Sequence, residues 1–422
     1  MAPALVLRTR LDEIGSKLTV EELLNLPLFA YLALDGILHV PASLMKILGY
    51  LFTAGFWLGT ILAFLRNRSR IHWEFWTCRF AFVFLLYTLA SAAWGTQPLK
   101  GVMVPSITAI CTFLYYNYLI DRFSLTDFTR MMVWTFAILL VLSVFASLFF
   151  PGYGLDDGSN DPNNLGAWQG VFAQKNQLGA AAALALAVAL GLRPTGDVDR
   201  VWRWLLIVAA LICSYGSQSR ETWIAMLLQV VFALFMRLLR TLKPQSRLPI
   251  LIAGLSAFIG TTLLIYFNLD AAFALVGRTR TASGRTEIWT GCLLLIEKRP
   301  WLGYGTYGVW HTPYAWDVVA RAGWQVTSSH NNYIEVLLSY GLIGFAIYMT
   351  ILCSTFLYMF RALLSYDLRD LEVLIYVMIS LLVLSMASPL LMYSPAVGMI
   401  LLLYCVSHLE KIERTGFMRL RH

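Results

Sequence analysis

Apolar runs long enough to cross a bilayer recur along the whole chain, and one long polar stretch, residues 269–330, interrupts them. A spanning helix needs about 20 mostly apolar residues. A lipid-facing chain must satisfy its backbone internally, so repeated runs of that length fold as helices. Only 13% of the 422 residues are charged and 59% are hydrophobic, with a mean hydropathy of +0.67. Soluble domains are nearer a quarter charged. A transmembrane barrel would show shorter, alternating segments. The reading is an all-α integral membrane protein, residues 1–422 forming one polytopic domain of about 12 transmembrane helices. The predicted spans are 22–40, 43–65, 73–94, 101–120, 131–150, 176–192, 202–216, 220–237, 248–268, 331–360, 371–390 and 394–408. Gly341 and Gly344 are placed to divide the long 331–360 run into a short helix and a true span.

The formal charge of +8 does not point to nucleic acid, because the basic residues are spread over many short loops. Short basic loops stay on the cytoplasmic side. Arg66, Arg68 and Arg70, then Arg122 and Arg130, Arg193, Arg200 and Arg203, Arg237, Arg240, Lys243 and Arg247, and Arg361 and Arg369 fall on one set of loops together with both termini. The opposite set, which includes 151–175, 216–220 and 269–330, is then external; long loops are exempt from the charge rule. The first 20 residues hold Arg8, Arg10, Asp12, Glu13 and Lys17 and no leading apolar core, so no secretory leader is expected. Arg79 and Asp35 lie within predicted spans, where an internal pair locking two helices is the simplest account. Six cysteines show no ligand or disulfide spacing.

Four external stretches carry the candidate chemistry. Gln174-Lys-Asn-Gln177 puts Lys175 at a helix start, where a cation opposes the helix dipole. Either an anion lies nearby or Lys175 is an ordinary interfacial lysine. Ser217-Gln-Ser-Arg-Glu221 is a very short connection that holds Arg220 at the membrane face. A guanidinium there matches phosphate geometry, but it could equally snorkel. In Ser283-Gly-Arg-Thr-Glu-Ile-Trp289, Ser283 is the expected N-cap of a helix that Pro300 ends. Its free N–H groups, Arg285 in the first turn and Arg278 and Arg280 upstream favour an anion over a plain amphipathic surface. His330-Asn-Asn-Tyr-Ile-Glu335 places an imidazole where the chain re-enters the membrane. There it can accept a proton from a hydroxyl nucleophile, or cap the helix, as Ser329 or Asn331 also could. Gly303-Tyr-Gly-Thr-Tyr-Gly308 matches a dinucleotide-binding pattern literally, but it lacks the strand–turn–helix setting that gives the pattern meaning. Its aromatics, Tyr304 among them, suit stacking on sugar rings or an interfacial belt. No carboxylate cluster suggests a metal or a paired-acid glycosidase.

Taken in order, Gly170-Val-Phe-Ala-Gln-Lys-Asn176, Ser217-Gln-Ser-Arg220, Ser283-Gly-Arg with Ile288-Trp289, Trp301-Leu-Gly-Tyr-Gly305 and Ser329-His-Asn-Asn-Tyr333 followed by Gly341-Leu-Ile-Gly344 resemble the O-antigen ligase and polymerase superfamily. The likeness covers roughly residues 70–410 and is closest to the exopolysaccharide-polymerase (ExoQ-type) branch. It implies a metal-independent, cofactor-free membrane glycosyltransferase of GT-C kind in the bacterial inner membrane, with a periplasmic active site capped by the helix in loop 269–330. The donor would be an oligosaccharide on undecaprenyl diphosphate. The acceptor would be a glycan or lipid-linked glycan, and a flippase and a chain-length regulator are the expected partners. Arg220 and Arg285 would hold the diphosphate, and His330 would act on the acceptor hydroxyl. Lys175, Arg278, Arg280, Asn331 and Tyr304 are added as substrate-binding candidates. Inversion at the anomeric carbon is expected, since no carboxylate nucleophile is evident. A ligase that transfers glycan to lipid A–core is the alternative within the class. A lipid-linked-sugar transporter or flippase is the alternative outside it, disfavoured because the charges gather at one face rather than at the midplane.

Overall fold

The computed structural model describes residues 25, 42–96, 99–159, 164–194, 196–267, 284–310, 312–391 and 397–415. Its α-helices longer than one turn are α1 (Ala42–Arg66), α2 (Trp76–Ala90), α3 (Leu99–Arg122), α4 (Leu125–Phe149), α5 (Lys175–Gly191), α6 (Asp197–Ser217), α7 (Arg220–Thr241), α8 (Pro244–Phe267), α9 (Arg285–Lys298), α10 (Trp316–Ala322), α11 (Asn332–Ser365), α12 (Glu372–Ser385) and α13 (Val397–Thr415). Among the described residues the only β pairing is an isolated bridge from Leu155 to Trp168. The predicted spans from 43–65 onward each coincide with one of α1–α8 or α11–α13. The first, 22–40, lies outside the described residues except for Asn25. Among the described residues, five stretches are long and apolar enough to cross a membrane: Trp76–Ala93, Met103–Arg122, Leu125–Phe149, Arg220–Thr241 and Asn332–Ser365.

The hub is α5. Its run KNQLGAAAALALAVALG is rich in alanine, and every residue from Leu178 to Ala189 is buried. Small side chains let α4, α6, α7 and α12 pack against it from several sides. Two glycines set the closest approaches. A Cβ on Gly191 would sit 2.4 Å from the Val373 Cα of α12, and one on Gly179 would sit 2.1 Å from the Thr222 Oγ1 of α7. The outer helices instead turn Leu, Ile, Val and Phe outward: Leu58 and Leu65 on α1, Phe145 on α4, Leu211 on α6, Leu227 on α7 and Leu255 on α8 are all exposed. That is the surface expected against lipid tails.

α11 is broken where the glycines predicted it. Gly341 takes φ 62°, ψ −168°, a conformation essentially confined to glycine. The break frees backbone groups on both sides, and the loop after α9 takes them up. Tyr304 N and Gly305 N donate to Leu338 O (3.0 Å) and Ser339 O (2.7 Å), while Leu342 N and Ile343 N donate to Pro300 O (2.7 Å) and Trp301 O (3.2 Å). Gly303 permits the contact, because a Cβ there would meet the Ser339 carbonyl carbon at 2.6 Å. The Gly-rich segment is thus a backbone splice into a broken helix, which pairs the N–H and C=O groups that the break would otherwise leave open.

The described part of the long loop, 284–310 and 312–330, is a small folded unit, the cap. Ile288, Cys292 and Leu295 of α9, Val318 of α10, Val309, Trp310, Val326 and Tyr304 close a core of their own, to which α11 adds Leu338. Each fully buried large apolar side chain contributes roughly 1.5–3 kcal/mol. Two expectations are corrected here. The N-cap of α9 is Gly284 at φ 63°, without a side-chain cap, and Ser283 lies outside the described residues. Arg79 is exposed in the first turn of α2, donating to Trp73 O and lying 4.7 Å over the Trp76 ring, and is not an interior lock; Asp35 lies outside the described residues.

Candidate active site

Three helix starts bear a cation each: Lys175 opens α5, Arg220 opens α7 and Arg285 opens α9. A cation in the first turn opposes the helix dipole, so the arrangement carries a local electrostatic cost unless anions compensate it. One anion is built in. Glu221, the second residue of α7, forms an ion pair with Arg285 through Oε2 and Nη2, with its side chain 12% exposed. Lys175 is close enough to act on the same carboxylate. Gly179 makes that closeness possible, since it lets the starts of α5 and α7 touch at Thr222 and Ser219. The N–H of Ala173, just before α5, is satisfied by Gln177 Oε1 at 3.2 Å.

The fourth component is His330, at the entry to α11. It is held in the left-handed region at φ 51°, which is uncommon for a residue with a side chain. The turn around it is heavily fixed. The buried Glu335 carboxylate accepts from Ser329 N (2.7 Å) and from Trp310 Nε1 (2.5 Å), and Ser329 O accepts from Trp289 Nε1 (3.0 Å). The cap core therefore sets the backbone of the histidine turn. The imidazole ring lies 5.7 Å from the Trp324 ring. Its Nε2 is buried and has no hydrogen-bond partner. Burial, and then the nearby Arg285 guanidinium, push its pKa down to about 4. The ring is therefore neutral at neutral pH, with a nitrogen left for a ligand.

Lys175, Glu221, Arg285 and His330 thus form one electrostatic chain, although 155 positions separate its ends in sequence. Arg220 stands beside Glu221 but is exposed and outside that chain of contacts. Arg278 and Arg280 lie outside the described residues. Two candidates have other work. Asn331 caps α11, its Oδ1 accepting from Tyr333 N and Ile334 N and its Nδ2 donating to Met386 O. Tyr304 is buried in the cap core, its hydroxyl donating to Leu295 O at 3.1 Å and its ring covered by Arg299 at 4.9 Å. It packs the cap rather than facing a sugar. Of the loop aromatics, Trp301, Tyr314 and Trp316 stay exposed.

Sequence reasoning missed Glu221 and Glu335. The signal for Glu221 was its position, an acid directly after Arg220 in the first turn of α7, where the dipole favours it. Glu335 gave none that set it apart from an ordinary first-turn acid on α11.

Comparison with known proteins agrees with the resemblance read from the motifs. Residues 204–349 match the O-antigen ligase family, a stretch that includes Arg220, Glu221, Arg285 and His330. The chain is also 26% identical over 367 residues to the exopolysaccharide production protein ExoQ of Rhizobium meliloti (strain 1021), covering 83% of this chain and 77% of that one. Residues 204–349 are thus similar to the O-antigen ligase family, and the chain is similar in sequence over most of its length to an exopolysaccharide production protein.

Proposed function

We propose that the protein is a membrane glycosyltransferase that moves a glycan from undecaprenyl diphosphate to an acceptor hydroxyl on the periplasmic face of the bacterial inner membrane, as an exopolysaccharide polymerase. The single observation that carries this is the linkage of Glu221 and Arg285, at the starts of α7 and α9, to an unpartnered, neutral imidazole, all three inside the stretch that matches the O-antigen ligase family. Helix starts and guanidinium groups suit a diphosphate. The relative's printed role in exopolysaccharide production favours polymerase over ligase.

In this reading Arg285 and Arg220, with Lys175 behind them, bind the diphosphate. The acceptor oxygen attacks the anomeric carbon from the opposite side, the bond from that carbon to the phosphate oxygen breaks, and its electron pair leaves with the diphosphate. His330 takes the acceptor's proton on Nε2, in the tautomer that carries hydrogen on Nδ1. The configuration at the anomeric carbon inverts. Charge develops on the leaving phosphate, where fixed donors stabilise the transition state most. The donor also prepares its own base: a diphosphate that neutralises Arg285 removes one cause of the low imidazole pKa.

The test is direct. Purified protein is given a lipid-linked oligosaccharide, and the products are separated. Free undecaprenyl diphosphate together with a lengthened glycan is the expected result. Intact donor that has only crossed a bilayer would make the protein a carrier instead. Transfer to lipid A–core, with no lengthening, would make it the ligase.

A further inference from the structure

The end of the bundle away from His330 holds a second charged cluster. Glu372, the first residue of α12, is 4% exposed. Arg240, near the end of α7, pairs with it at 2.9 Å, and Arg193, just after α5, lies 3.9 Å from it. Arg203 of α6 and Arg237 of α7 are close enough to act on the same carboxylate. Arg200, also on α6, is paired with Asp197 at 3.0 Å. Asp199, in the same turn of α6, is buried. Four arginines therefore gather on the Glu372 carboxylate where α5, α6, α7 and α12 come together. The acid at the centre, Glu372, is buried, while the guanidinium groups keep an open side. Arg193 and Arg240 are 34% and 29% exposed, and Arg237 is exposed.

A cluster of this form does more than neutralise Glu372, since one or two arginines suffice for that. The chain's orientation rule explains basic residues on these loops, but not their convergence from three segments onto one buried acid. Basic pockets between transmembrane helices at the cytoplasmic surface take phosphate-bearing lipid headgroups. Guanidinium groups suit such phosphates through forked donors. Trp204, beside Arg203, is 63% exposed, as an interfacial aromatic would be.

We propose that Arg193, Arg203, Arg237 and Arg240 form a binding site for the phosphate of an anionic lipid headgroup, at the end of the α5–α6–α7–α12 junction away from the active site. The site is independent of the glycosyltransferase reading. A headgroup there would brace the far ends of α5 and α7, the two helices whose starts carry Lys175 and Arg220.

The test uses the full chain purified in a non-ionic detergent. Its thermal unfolding is followed while dioctanoyl phosphatidylglycerol, dioctanoyl phosphatidylcholine or inorganic phosphate is added. The expected result is a saturable rise in unfolding temperature with phosphatidylglycerol alone. Arg203→Gln with Arg237→Gln leaves both close ion pairs to Glu372 in place, and should weaken the apparent affinity about tenfold or more, since each basic residue near an anionic surface adds substantially to binding. Arg193→Gln with Arg240→Gln and Glu372→Gln removes the central charges together, so that no buried acid is left unpaired, and should abolish the lipid response. An equal response to phosphatidylcholine, or an unchanged phosphatidylglycerol response in either variant, would overturn the site. Equal stabilisation by inorganic phosphate would overturn a lipid as its source.

Discussion

At His330 two physical demands meet: a left-handed backbone that a side chain resists, and a ring nitrogen buried without a partner. Strained, unsatisfied groups persist where surrounding structure over-determines them, and here Glu335, Trp289 and Trp310 do so. If His330 is the base, His330→Ala should lower turnover by about 10²–10⁴ and leave the protein in the membrane. Arg285→Ala should cost about 10²–10³. Both are read as undecaprenyl diphosphate released by purified variants, and full activity in either removes that residue from the chemistry. The pH profile gives a sharper test. Burial and Arg285 favour the neutral ring, so kcat/KM should hold steady down through pH 6.5 and fall only as pH drops through about 4. The same depressed pKa means the unfolded chain binds a proton that the folded one refuses, so this group's contribution to stability declines as pH falls from about 6.5 to about 4. Glu221→Gln leaves Arg285 without its counter-charge and should move the acid limb lower still, whereas Arg285→Ala should move it higher. A limb that stays put in both variants would separate His330 from the ion pair. Lys175, Arg285 and His330 were legible as candidates because residue type and position at a helix start suffice to suggest an anion or a proton acceptor. Their linkage through Glu221 was not, because it depends on how close α5, α7 and α9 begin to one another.

The helix break at Gly341 is the element on which the cap hangs. Its four backbone hydrogen bonds to residues 300–305 join the cap to α11 just below the histidine turn. Gly341→Ala would impose a conformation that costs about 1–3 kcal/mol for a non-glycine residue. It would also drive a Cβ to within 2.4 Å of the Trp301 carbonyl carbon. Gly55→Ala on α1 is the control, because nothing lies within 4 Å of a Cβ there. Unfolding of the purified variants should show a clear loss for the first and little change for the second; equal stability would mean the splice bears no strain. Periodicity and length made α1–α8 and α11–α13 readable, since apolar runs in a bilayer have few alternatives. The glycines announced the break itself. Where Gly303-Tyr-Gly305 docks was hidden, because backbone pairing between distant segments leaves no residue signature. The first-turn cap of α9 was misplaced by one position for a related reason: Gly284 in the left-handed region took the place that Ser283 was expected to fill.

Across the whole molecule, the two charged clusters divide along the helix axes. α5 runs from Lys175 to Gly191 and α7 from Arg220 to Thr241, so at 1.5 Å per residue their ends lie roughly 25 Å and about 33 Å apart, close to the thickness of a hydrocarbon core. Lys175, Glu221, Arg285 and His330 gather at one end; Arg193, Arg203, Arg237, Arg240 and Glu372 gather at the other. Exposed apolar side chains on α1, α4, α6, α7 and α8 cover the belt between them. Short basic connections stay in the cytoplasm, so the arginine end should face inward and the histidine end outward. Reporter fusions decide this. One after Arg240 and one after Arg369 should report the cytoplasm, and one after Asp317, on the exposed side of α10, should report the periplasm. The reverse pattern would turn the molecule over and set His330 on the cytoplasmic side, where the chemistry proposed for it would have to use a donor that had not yet crossed the membrane.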